Sequence, residues 1–99
     1  GKEDHVSMGT ISARKCAQIA RHVRTVLAIE AMVAAQGLDY RLPLTPGRGV
    51  RAAHDALRVH VPTLTEDRVL YKDIQRCEEL VDDGVLVRAA EGALGVRLA

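Results

Sequence analysis

The stretch Glu3-Asp4-His5-Val6-Ser7-Met8-Gly9 gathers two carboxylates, an imidazole and a hydroxyl just ahead of a helical pattern. Groups so placed could take or give a proton, and the positive end of a helix dipole favours negative charge nearby. From residue types alone, the ordinary role of such a stretch is a solvated end whose polar groups cap the helix. Glu30 is the second conspicuous ionisable group, since every other residue between Val26 and Ala35 is apolar. A carboxylate in that setting needs a partner or takes a raised pKa. An ion pair with Arg24, or with an arginine from elsewhere, is the expected solution.

Other candidates carry less. His5, His22, His54 and His60 show no i,i+4 pairing, so no metal site is expected. Cys16 and Cys77 lie in apolar helical settings without a CxxC spacing and read as two buried thiols. Thr45-Pro46-Gly47-Arg48-Gly49 precedes a helix but lacks the GxxxxGK[ST] pattern, and no strand leads into it. It reads as a connector. The basic residues Arg14, Lys15, Arg21, His22 and Arg24 have no interleaved aromatics and no helix-turn-helix signature around them, so a solvated face is expected rather than a nucleic-acid surface. With 14 basic and 13 acidic residues the net charge is +1, which excludes polyanion binding driven by net charge.

The elements that must position these groups are helices. There is no Phe or Trp and only two Tyr, so the 47% hydrophobic content is chiefly aliphatic and rich in Ala, as closely packed helices require. The fold class is all-α: one helical segment over residues 1–99, with a long helix at about 10–37 and shorter helices at about 50–61, 66–83 and 85–91. Thr10 is the expected cap of the first and Gly37 its stop, while Thr65 is the expected cap of the third, ahead of Glu66 and Asp67. A helix of about 27 residues is ~40 Å long, more than the ~34 Å diameter of a compact chain of this size. The all-round apolar run from Val26 to Ala35 should therefore be buried against other chains or further sequence. No run is long and apolar enough to span a bilayer, and no signal peptide is present, so no membrane partner and a cytoplasmic location are expected. The chain opens on Gly1 without an initiator Met, as expected of a processed, tagged or excised fragment.

The same residues carry a resemblance. Glu3-Asp4-His5-Val6-Ser7-Met8-Gly9-Thr10 followed by Ser12-Ala13-Arg14-Lys15 resembles a signature segment of the histidine and aromatic amino acid ammonia-lyase family. The likeness continues through Thr25 to Glu30, Ala34 to Arg41, Pro46 to Ala53 and Glu66 to Tyr71, in order along nearly the whole chain.

The resemblance implies the carboxyl-terminal portion of an enzyme several times longer. Members are largely helical homotetramers built around a central bundle of long helices. They eliminate ammonia from an amino acid to give an α,β-unsaturated acid, using a methylidene-imidazolone (MIO) electrophile formed from an internal Ala-Ser-Gly. That tripeptide does not occur here, so MIO is expected in the parent enzyme and is not encoded in this chain. The resemblance implies Glu3 as the catalytic residue this segment supplies and places Lys2 on the substrate-binding side. Glu3 points away from the plant phenylalanine lyases, which typically carry Gln there. Lys2 departs from the Gln usual in histidine lyases and leaves histidine and tyrosine, lyase and aminomutase, open. The implied partners are the rest of the lyase, its homo-oligomer and a small amino acid substrate. The alternative is a non-catalytic helical assembly module, or a truncated remnant of that family.

Overall fold

Four α-helices and no strand appear among the described residues of the computed structural model, which covers the backbone of residues 2–98 and the side chains of residues 8–98. They are α1 (Lys2–Asp39), α2 (Arg48–His60), α3 (Tyr71–Asp82) and α4 (Val85–Leu94). The first helix starts at Lys2, ahead of the expected cap at Thr10. Nothing between them breaks a helix, and acidic Glu3 and Asp4 suit a first turn. It also runs through Gly37, ending only where Tyr40 and Arg41 close tight turns back onto Gln36 and Leu38, before Pro43. One interior glycine costs about 1 kcal/mol, too little to stop a helix held from outside.

The third helix shows a larger departure. It begins at Tyr71, not near residue 66, and Thr65 caps nothing. Tertiary bonds hold the preceding stretch out of helix. The Gln36 amide pairs twice with Leu64, donating to its carbonyl and accepting from its N–H, both at 3.0 Å. Arg68 donates to the carbonyls of Pro62 and Thr63 and to the Asp73 carboxylate. The fourth helix extends to Leu94, past the expected end at 91, and stops at Gly95 in the left-handed region at φ 69°.

The core is small: Ala28, Ala35, Leu57, Val61, Cys77 and Leu80, with Ala31, Met32, Val85 and Leu86 against it. Alanines on α1 give α3 a close approach. Between Val26 and Ala35 only Ala28 and Ala35 are buried, while Val26 and Val33 are 62% and 66% exposed. Among the described residues, then, the run is covered on one side only, where α3 packs closely along it and α2 and α4 stand across a cleft from Ala31, Ala34 and Ala35. Glu30 is exposed, and Arg24 goes to Glu78 and Asp82 on α3 instead. Cys16 is exposed, contrary to expectation, because no other helix among the described residues packs on that half of α1; Cys77 is buried. Every side chain from Met8 to Val23 is exposed, and the radius of gyration is 17.8 Å, against about 13 Å for a compact chain of this length.

The carboxyl end of α1 is tied down by one side chain. Asp39 Oδ2 accepts from Arg58 Nε (3.0 Å), Arg58 Nη2 (2.5 Å) and Thr63 Oγ1 (3.1 Å), and Oδ1 accepts from His54 Nε2 (2.8 Å). His54 and Arg58 stand four apart on one face of α2, so both reach the same carboxylate. Burial pushes the Asp39 pKa up. The hydrogen bonds from Arg58, His54 and Thr63, with the Arg58 charge, outweigh it and hold the group below its ordinary value.

A carboxylate whose pKa is lowered by folding contributes stability that is present above its unfolded value, about 3.9, and is lost as pH falls through the lower folded value. Asp39→Asn removes the charge and leaves a part-buried Arg58 without its partner, which should cost about 2–4 kcal/mol at neutral pH. Thermal melts from neutral to acid pH check this. The variant should melt lower at pH 7 and converge toward the parent chain in acid, whereas curves that coincide at every pH would show that the network contributes nothing.

Candidate functional site

Lys2 and Glu3 lie in the first turn of α1, and their side chains fall outside the described residues. Their position along the rod is nonetheless clear. At 1.5 Å per residue Glu3 stands ~32 Å from Arg24, where α1 begins to touch α3. No other described element runs beside the helix between Met8 and Val23. Any site built on Glu3 must therefore draw its other groups from outside residues 8–98.

The chemistry-bearing cluster among the described residues sits at the other end of α1, ~54 Å from Glu3 along the helix. A cavity of about 150 Å³ opens beside Asp39 and His54, walled by Leu38, Leu44, Pro46 and Arg51. A His–Asp pair beside a cavity suggests proton transfer, but Nε2 is committed to the Asp39 carboxylate that ties α1 to α2, at 2.8 Å, and Nδ1 lies 3.4 Å from the exposed Asp55 Oδ1. The cluster joins helices. Sequence reasoning gives His54 no part beyond the expectation of no metal site, and the i,i+4 spacing of His54 and Arg58 is the available signal of a shared partner.

The Gly-rich connector has a packing explanation. A Cβ on Gly49 would fall 2.9 Å from Leu94 Cδ1, so the glycine admits α4 against α2, and no phosphate need be invoked. The Cys77 thiol is pushed up by burial and by the Asp73 charge, with partial relief from Arg58, which suits a packed thiol rather than a nucleophile. No group of His, Cys, Asp or Glu among the described residues could hold a metal ion. Nor is any described helix long and apolar enough to cross a membrane. The only partnerless buried side-chain nitrogen or oxygen among them is Arg24 Nε, inside the α1–α3 ion pairs. It offers no cradle for a prosthetic group, and the Ala-Ser-Gly precursor of MIO is absent, so these residues do not fit one.

Comparison with known proteins supplies what geometry does not. The family model for aromatic amino acid lyase matches residues 1–59, spanning α1, the connector and most of α2. The chain is 60% identical over 95 residues to a histidine ammonia-lyase of Sorangium cellulosum, covering 96% of this chain and 18% of that protein. It is 56% identical over 86 residues to one of Anaeromyxobacter dehalogenans, covering 87% and 17%. To one of Gloeobacter violaceus it is 48% identical over 95 residues, covering 96% and 18%. The chain thus spans under a fifth of the length of the curated relatives it matches. No solved structure matches it. The segment that holds Glu3 and the long helix is the one the family model recognises, and the chain belongs to the aromatic amino acid lyase family.

Proposed function

We propose that this chain is a segment of a cytoplasmic, homotetrameric histidine- or tyrosine-type ammonia-lyase, to whose active site it contributes Glu3. The observation that carries the reading is 60% identity, along 96% of the chain, to a protein named histidine ammonia-lyase. The Glu3-Asp4-His5-Val6-Ser7 motif lies inside the family match. The fold is consistent with this role. It holds the motif at the far end of a long helix, away from the packed helices, where other parts of an enzyme can close around it. The exposed apolar side of α1, with Ile19, Val26 and Val33, supports a place for that helix in an assembly core.

In this reading the electrophile comes from outside the chain, and MIO would supply the activation of the amino group when present. The work of Glu3 is done by its carboxylate. An ionised carboxylate pairs with the substrate ammonium, accepts a hydrogen bond from a substrate imidazole or phenol, or takes up a proton released as the double bond forms. Lys2 is the neighbouring cation on the substrate side, and as a departure from the Gln usual in histidine lyases it leaves histidine and tyrosine both open. Asp4 is the capping or structural partner.

The 99-residue chain alone should release no ammonia from histidine or tyrosine, and the absorbance of urocanate or coumarate should stay at baseline. In the full-length enzyme, Glu3→Gln keeps the size and one acceptor oxygen but removes the charge. If the carboxylate acts in the transition state, kcat should fall about 10²–10⁴-fold with little change in melting temperature. A rise in KM with kcat unchanged would mark a positioning role, and kinetics unchanged on both substrates would remove Glu3 from the site. Asp4→Asn, measured alongside, should lower the melting temperature more than it changes turnover.

A further inference from the structure

We infer that the basic, uncovered half of α1 docks on the acidic carboxyl end of α3 in a second copy of the chain. This rests on the reading of α1 as an assembly helix and names the surface that meets it. The precedent lies within one chain. Arg24 donates to Asp82 (2.6 Å) and Glu78 (3.1 Å), and Thr25 donates to Glu78 (3.0 Å), beside the small residues that let α3 approach α1.

Helix register carries that face back toward the amino terminus. At 100° per residue, Arg14, Ala17 and Arg21 fall on the same side as Arg24 and Ala28. The face that α1 uses for α3 therefore continues uncovered, with Ala17 small enough to admit a helix and two arginines beside it. Both are exposed, and neither forms an ion pair among the described residues. From Met8 to Ile29 the sequence holds no acidic residue at all.

The complementary surface is equally one-sided. Glu78, Glu79, Asp82 and Asp83 cluster at the end of α3, where the helix dipole adds negative potential. Arg24 is the one cation that pairs with their carboxylates from another element among the described residues; Arg88 of α4 donates to the backbone carbonyl of Asp83. Glu79 meets only its helix neighbour Arg76, at 3.7 Å, and stays 66% exposed. Lengths agree as well: α3 is ~18 Å long and the stretch from Met8 to Val23 is ~24 Å. Each copy carries one basic and one acidic surface, so a two-fold pairing uses both twice and closes. The apolar stripe of Ile19, Val26 and Val33 points roughly the other way in the helix register, so the two contacts are separable.

Sedimentation of the full chain at about 50 mM and about 500 mM salt tests this, because exposed charge pairs are screened over that range. Association should weaken about tenfold or more at high salt. Arg14→Glu with Arg21→Glu should abolish it at low salt, as should Glu79→Lys with Asp83→Lys. Mixing the two reversed chains should restore it as a heterodimer. These side chains face solvent, so the helices packed beyond Arg24 should melt unchanged, and any loss of helicity should be confined to the uncovered half of α1. Association that ignores salt and both reversals, but is lost on Ile19→Asp with Val26→Asp, overturns the charged contact and leaves the assembly reading standing. A monomer under every condition overturns both.

Discussion

The Asp39 carboxylate, held by Arg58, His54 and Thr63, fixes the geometry of everything after the first helix. It joins the last turn of α1 to α2 and to the stretch leading into α3. Gln36, one turn earlier, adds a two-sided clamp on Leu64. With that end anchored, the loop from 61 to 70 lies along α1 and delivers α3 to the alanine face. The close packing of α4 on α2 past Gly49 then places the last helix. A core of so few buried residues depends on polar joints of this kind to define its arrangement.

The packed region and the free rod differ in character. Past Arg24, α1 is one wall of a small helical domain. Before it, the helix presents an Ala and Arg side in line with its packed face and an apolar side that nothing covers. The apolar side does not suit a chain that stays alone in water. The motif that carries the family resemblance sits on this unpacked half, far from every described polar cluster.

The four helices were legible because apolar periodicity and glycine or proline punctuation are local signals. The starts of α1 and α3 were not. Thr10 and Thr65 are good caps by residue type, but helix continues across the first and Gln36 and Arg68 hold the second in extended chain. The Asp39 cluster needs residues 39, 54, 58 and 63 to meet, which no window of sequence displays. The proposal of Glu3 rests only on the likeness of Glu3-Asp4-His5-Val6-Ser7 to a known signature. Physical chemistry alone read the same residues as a solvated end.

The uncovered half of α1 has a thermodynamic consequence. From Met8 to Val23 the helix has its own backbone bonds and no other helix packed on it among the described residues, and isolated helices of about that length are marginal in water. Its order is then linked to whatever covers it. Where the cover is a second copy, as inferred above, mass action makes that order depend on concentration, so dilution erodes the rod before it reaches the helices packed beyond Arg24. A group borne at the tip would inherit this dependence, and whatever it does would report the state of association.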